Sequence, residues 1–531
     1  AAAAALSAAN GIGIGSGGAL ETALSNLEAV TSTGGIFLSN TGTLAIGGVS
    51  NSLAGLMVFD SGGISLMNAG SVSVIVSGDP IWAPGAVSVT ASGASADILT
   101  GNKASDPFAS IASGGGTVTL TAGRDLLLGD VATGALGNVY GGGSVILTAG
   151  RNITVDTGTF VFARGSGEII ATAGGDVSVI DTAGPYHGAQ LRTAGGNITI
   201  TTGAGGAFVA NNQSSPAVKT TQGGGNGNIT INADYMDIRH EIDAGSGTVT
   251  LRTVTAGRTI GLGSPDAAGV LGLSDSELDL IRAGVLHIGS ASAGDIEATG
   301  SLTPVNAGAL VIQTPGTFSV NTGAVVEMAD GRTITVNAPT VILDGNLTAT
   351  GGISGTATTV NVLGSAGGAQ LQDAVDVAAA GALVNVAAGT YTSFVITKEN
   401  LTVDGAGLTT VVRPGSPAII IAANGVTVQD MLLAGVGVPD PDDVGILLDG
   451  IAAPDLTGVS IVNVHFANLM SGIVSRGDIG DGNAATVDVT IRGNSALDRA
   501  AFEDMIVAAI DVGDTDGDAR YLIRDIVLRD G

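Results

Sequence analysis

At 531 residues the chain is long enough for several ordinary domains or for one long repetitive one. Its 86 glycines, 3% aromatics, 12% charged residues and 44% apolar residues exclude both an ordinary disordered chain and a ring-rich globular core. The net charge of −28 argues against nucleic acid and anionic membrane surfaces as partners, and the absence of cysteine removes disulfides, thiolate metal sites and Cys nucleophiles.

The first residues, Ala1 to Ala9, carry no basic region and do not read as a signal peptide, so an export signal is expected outside this sequence. No run of about 18 apolar residues occurs anywhere, so no membrane span is expected. From Gly116 onward one pattern recurs: Gly, a small or polar residue, alternating β-branched residues, then often Thr-Ala-Gly. It starts at Gly116 (GTVTLTAGRD), Gly143 (GSVILTAGRN), Gly167, Gly196, Gly227 and Gly247. No amphipathic helix fits between these starts, whereas one coil of a parallel β-helix takes about 20 to 30 residues. The predicted fold class is therefore all-β, a right-handed parallel β-helix or solenoid.

Alternation sets the sidedness of each strand. Val118 and Leu120 should face the inside of the coil, with Thr117, Thr119 and Thr121 outside. The Gly-Arg and Gly-Asn pairs at the turns are expected to supply positive φ. Asn197 and Asn228 precede equivalent strands and are placed to form a ladder.

Two short helices are expected as caps. Ser274-Asp275-Ser276-Glu277 has capping-box spacing and leads into Leu278, Leu280 and Ile281, which predicts a helix over 274–283. Leu371, Val375 and Ala378 recur at helical spacing, which predicts a helix over 369–380, stopped by Gly381 before a strand resumes at Val384. Strand patterns follow at Val426 to Gly435, Val459 to Asn468 and Val487 to Asn494. They are still running at Tyr521 to Gly531, so the chain reads as a piece of a longer polypeptide or a subunit stacked end to end.

Three stretches resemble adhesins of the filamentous-haemagglutinin type. They are ANGIGIGSGGALETALSNLEAVTSTGGIFLSNTGTLAIGGV (Ala9 to Val49), the TAGRD and TAGRN repeats, and LSDSELDLIRAGVLHIGSASAGDIEATG (Leu273 to Gly300). From Gly364 onward, AQLQDAVDVAAAGALVNVAAGTYTSFVITKENLTVDGAG (Ala369 to Gly407) is similar to the pectate-lyase-like β-helix superfamily, in which a helix caps one end of the coils. The resemblance implies two sections, 1–363 and 364–531. It also implies a secreted or bacterial cell-surface protein, associated with the outer membrane and exported through an outer-membrane β-barrel partner. Its partner would be a host or neighbouring-cell glycan or protein, or a second copy in a filament.

Chemistry-bearing residues are few. His187, His240, His287 and His465 are scattered without metal-ligand spacing. The sharpest cluster is Asp511, Asp514, Asp516 and Asp518, whose alternate carboxylates near a glycine suit Ca2+, the one cofactor the sequence suggests; the plainer alternative is a solvated acidic loop. Asp440, Asp442 and Asp443 form a weaker group in a Pro-broken loop. Arg476, Arg492 and Arg499, with the acidic cluster, are the raw material for a polysaccharide lyase or hydrolase. Against that reading stands the scarcity of aromatics, Trp82 being the only tryptophan. The expected function is a non-catalytic adhesin or structural rod, each coil adding about 4.8 Å. A polysaccharide-active enzyme and a self-assembling filament subunit are the alternatives.

Overall fold

A computed structural model describes residues 2–529 apart from 16, 51, 75–79, 102–109, 130–136, 157, 182–187, 212–215, 365–369, 414–416, 436–442, 451, 453–455, 477–487, 493–499, 504–507, 513–519 and 525, with side chains described as far as residue 475. The fold is all-β, built from long parallel sheets in a solenoid-like arrangement. Among the described residues the α-helices are α1 (Asp275–Leu278) and α2 (Leu371–Val377), and no helix is long and apolar enough to cross a membrane. The chain divides into two compact units. The first holds Ala1–Ile260, Pro265–Ala293 and Pro304–Leu310; the second holds Gly261–Ser264, Gly294–Thr303 and Val311–Gly531. The boundary that the resemblance implies between 363 and 364 falls inside the second.

In the first unit each repeat contributes three short strands, for example Val118–Ala122, Leu126–Leu128 and Val139–Gly141. Each pairs in parallel with its counterpart one repeat on: Val145–Ala149, Ile153–Asp156 and Phe160–Ala163. Three ladders result. The inward positions of the first ladder form unbroken aliphatic columns, such as Val87, Val118, Val145, Ile169, Ile198 and Ile229, all 0% exposed. Each such side chain contributes roughly 1.5–3 kcal/mol by leaving water. Val118 and Leu120 point inward and Thr119 and Thr121 outward, as the alternation predicts. Thr90, Thr121, Thr148, Thr172 and Thr201 share one outer row.

The expected positive φ is found at Gly257, before Arg258 (73°), but not along the main corner stack. Gly123, Gly150, Gly174 and Gly203 do not have positive φ. They stack on one another instead, and a Cβ on Gly150 would lie 2.1 Å from the carbonyl oxygen of Gly123. Rung-to-rung contact, not a left-handed turn, is what demands glycine there. Beside them, the Arg124 Nε donates to Asp97 Oδ1 at 2.8 Å and the Arg151 Nε to Asp125 Oδ1 at 2.8 Å, so these two arginines each reach back one rung. Asn197 and Asn228 do form a ladder, from side chain to backbone: the Asn228 N–H donates to Asn197 Oδ1 at 2.9 Å, and the Thr248 N–H to Asn228 Oδ1 at 2.9 Å.

Connections differ in regularity. Three residues join the first strand of a repeat to the second at Ala122 to Leu126, Ala149 to Ile153 and Ala173 to Val177. Between the second and third strands the linking length is ten residues after Leu128, three after Asp156 and nine after Ile180.

In the second unit the inward column Phe318, Val341, Val360, Val384, Val403, Val428 and Ile461 is likewise 0% exposed. A five-stranded sheet begins at Phe394–Ile396 and ends at Ala508–Val512. Helix α2 packs over the edge of Phe394–Ile396. Gln372 completes that edge: the Val395 N–H donates to Gln372 Oε1 at 2.8 Å, and Gln372 Nε2 donates to the Val395 carbonyl at 3.3 Å.

Both helices are shorter than predicted. Helix α1 is a single turn whose Glu277 Oε2 accepts from the Ser274 N–H and hydroxyl at 2.9 and 2.7 Å. By Ile281 the chain is a strand, because Ile281 continues the third ladder beside Ile242. Helix α2 ends at Val377, and Ala378 is extended (φ −67°, ψ 146°) and pairs with Ala357. Gly381 does not stop a helix; it has φ 76° within the strand Ala378–Val386, where the register shifts. In both places ladder pairing overrides a helical propensity too short to sustain itself.

Candidate functional site

Because strands alternate, the outer row of the third ladder is fixed by register. It runs Met57, Trp82, Ala112, Tyr140, Phe162, Arg192 and Lys219. Trp82, Tyr140 and Phe162, with Phe160 two residues before on the same strand, are half-buried on this face. Tyr140 meets Phe162 edge-on, centroids 6.0 Å apart at 90°. The Arg192 guanidinium carbon lies 4.3 Å from the Phe160 ring centroid and 5.0 Å from that of Phe162. Lys219, one rung on, has its Nζ 3.8 Å from Asp243 Oδ2, a carboxylate that also accepts from the Thr221 hydroxyl at 2.7 Å and the Gly245 N–H at 2.9 Å. The row can stack on an apolar ring and bind an anion.

A cleft of about 570 Å³ opens where α1 faces the strand Tyr235–Ile238, lined by Asp237, Arg239, Asp266, Ser274 and Glu277 among others. Asp237 Oδ1 accepts from the Arg239 Nε at 2.8 Å, and the other two carboxylates are engaged with backbone. Asp266 Oδ2 accepts from the Met236 N–H at 3.1 Å and Oδ1 from the Gly272 N–H at 2.8 Å, while Glu277 Oε1 accepts from the Ile238 N–H at 3.2 Å. Met236 and Ile238 point their N–H groups away from the neighbouring rung, so these acids stand where a further strand would pair. Burial raises the Asp266 carboxyl above its usual range. Arg258 stacks on Tyr235 at 4.2 Å. The arrangement terminates a strand edge.

In the second unit Asp373 and Asp376 lie on α2. Burial, with the neighbouring Asp376 adding to it, pushes the Asp373 carboxyl up to about 7, and its Oδ2 is buried without a hydrogen-bond partner. Burial also raises Asp376, opposed by its bond from Gln372 and the charge of Lys398. Lys398, lowered by burial, donates from Nζ to the carbonyls of Asp376 (2.6 Å) and Ala378 and so caps the helix C-terminus.

Of the calcium candidates, Asp511 falls on the strand Ala508–Val512 in register with Val474, and Asp514, Asp516 and Asp518 lie outside the described residues. Asp440, Asp442, His187 and Arg499 also lie outside them. Arg476 pairs in register with Asp449, and Arg492 with Val462. His287 shares a rung with Thr250 on the first ladder, His240 follows the strand Tyr235–Ile238, and His465 belongs to the second unit in register with Leu432. Among the described residues no group of three or more His, Asp or Glu side chains is placed to hold a metal ion.

The aromatic row was missed at the level of sequence because its members are 22 to 58 residues apart. The visible signal was Phe160-Val161-Phe162, an alternation that places both rings outside. No protein-family model, curated protein or solved structure matches the chain.

Proposed function

We propose that the chain is a right-handed parallel β-helix from a secreted or surface-bound bacterial adhesin. In this reading it is of the filamentous-haemagglutinin type over 1–363 and pectate-lyase-like over 364–531, and is exported through an outer-membrane β-barrel partner. It acts by presenting side chains at fixed spacing to a cell-surface ligand, without catalysis. The observation that supports this most is strict register over many rungs. The threonine row from Thr90 to Thr201 and the aromatic and cationic row from Trp82 to Lys219 are each continuous outer surfaces held on a column of buried aliphatics. Repetition at about 4.8 Å builds a stiff display surface, and loops leaving it supply variation.

Binding of protein-coated beads to epithelial and bacterial cells, with electron microscopy of the same preparation, tests the proposal. Saturable binding by elongated particles is expected. Compact particles, or beads that bind no better than albumin-coated ones, refute it. A screen for sugar products released from acidic polysaccharides separates it from the enzymatic alternative.

A further inference from the structure

We infer that the outer row of the third ladder around Arg192 is a receptor site for a sugar carboxylate. The chain has 47 acidic residues against 19 basic ones, and the arginines 124, 151, 239 and 332 are each paired with an aspartate. No carboxylate among the described residues pairs with Arg192, and its Nε is buried without a hydrogen-bond partner. Its guanidinium is held instead on the rings of Phe160 and Phe162. A partly desolvated cation without a counter-ion is costly, and stacking fixes its plane in advance. An arriving anion finds a rigid fork and relieves that cost.

The same geometry selects the anion. A planar fork matches a carboxylate with two parallel hydrogen bonds. The rungs behind Arg192 in the row carry Phe162 and Tyr140, then the small Ala112, then Trp82. Beyond Phe162, whose ring Arg192 covers, the half-buried Tyr140 and Trp82 lie two rungs apart across the step at Ala112, about 9.6 Å along the row and near the length of two pyranoses. Lys219, the next cation along, is engaged with Asp243. A single uncommitted cation in this row, on a chain of net charge −28, favours a ligand with an isolated negative charge and repels a dense polyanion. The site therefore takes a glycan whose carboxylate sits on Arg192 and whose neighbouring sugar lies toward Tyr140 and Trp82.

This deepens the adhesive reading by naming its ligand class, and it rests on that reading for its biological sense. The test is calorimetric titration of the full chain with 3'-sialyllactose, trigalacturonate and lactose, for wild type, Arg192→Gln and Phe160→Leu. At least one acid should bind ten times more tightly than lactose, and Arg192→Gln should lose at least tenfold. Tighter sialyllactose assigns a terminal sugar acid, tighter trigalacturonate a uronate chain, and either result supports the site. Failure of both acids to bind, binding equal to that of lactose, or full affinity in a normally melting Arg192→Gln overturns it. If that variant misfolds, Arg192→Lys replaces it: charge is kept, the fork is lost, and unchanged affinity overturns the site. Cell adhesion measured alongside separates the two ideas. Adhesion without any acid-glycan binding leaves the adhesive role and removes the site. Glycan binding without adhesion does the reverse.

Discussion

A single glycine shows how closely the repeats are stacked. At Gly150 any Cβ would collide with the Gly123 carbonyl, and the colliding atom is backbone that cannot swing aside. Gly150→Ala should therefore destabilise the first unit by about 2 kcal/mol, whereas Thr148→Ala, on the outer face two residues earlier, should stay within about 0.5 kcal/mol. Urea melts of the two variants check this, and equal midpoints would contradict it. Asp373 gives a test in pH. Its carboxyl is raised from 3.8 to about 7 in the folded chain, so the folded state holds a proton that the unfolded state has released. The stabilisation is full below the unfolded value and is lost as pH climbs toward 7. The second unit should thus melt higher at pH 5 than at pH 8. Asp373→Asn should flatten that dependence and raise stability at pH 8 by about 1–2 kcal/mol, a figure reduced for partial exposure. The Val118 and Leu120 sidedness was legible because strand alternation is local. The role of Gly150 and the company of Arg192 were not, since both depend on residues a full rung away.

At the level of elements, α2 shows what decides where a helix stops. Leu371, Val375 and Ala378 fit a helical face, yet Ala378 is recruited by Ala357 into the ladder, and Lys398 satisfies the carbonyls left behind. Sequence periodicity identified the helix and misjudged its end, because the competing strand partner is 21 residues upstream. The helix also seals a strand edge through one side chain. Gln372→Ala should remove both bonds to Val395, lower stability by about 1–2 kcal/mol and speed hydrogen exchange at the Val395 amide, with amides on the far side of that strand less affected. Unchanged exchange at Val395 would mean that the helix body, not Gln372, protects the edge. The single turn of α1 follows the same logic: its Glu277 bonds at once to its own N-cap and to the Ile238 N–H.

Across the whole molecule, stability should accumulate rung by rung, since each strand pairs only with its immediate neighbours in a ladder. A charge placed in one column, as in Leu147→Asp, should strip hydrogen-exchange protection from Val118–Ala122 and Ile169–Ala173 while Thr248–Arg252 keeps most of its own. Loss of protection throughout the first unit would show instead that it unfolds as one cooperative block. The uneven connections have a further consequence. Corners after the first strand run from two to five residues in the first unit, while the link between second and third strands runs from three to ten. A rung therefore takes up more length between its second and third strands than at the corner after its first. Changes in length on that flank leave the ladders in register, so the loops there can vary while the scaffold stays constant. The same flank is where a foreign epitope could be grafted without redesigning a single ladder.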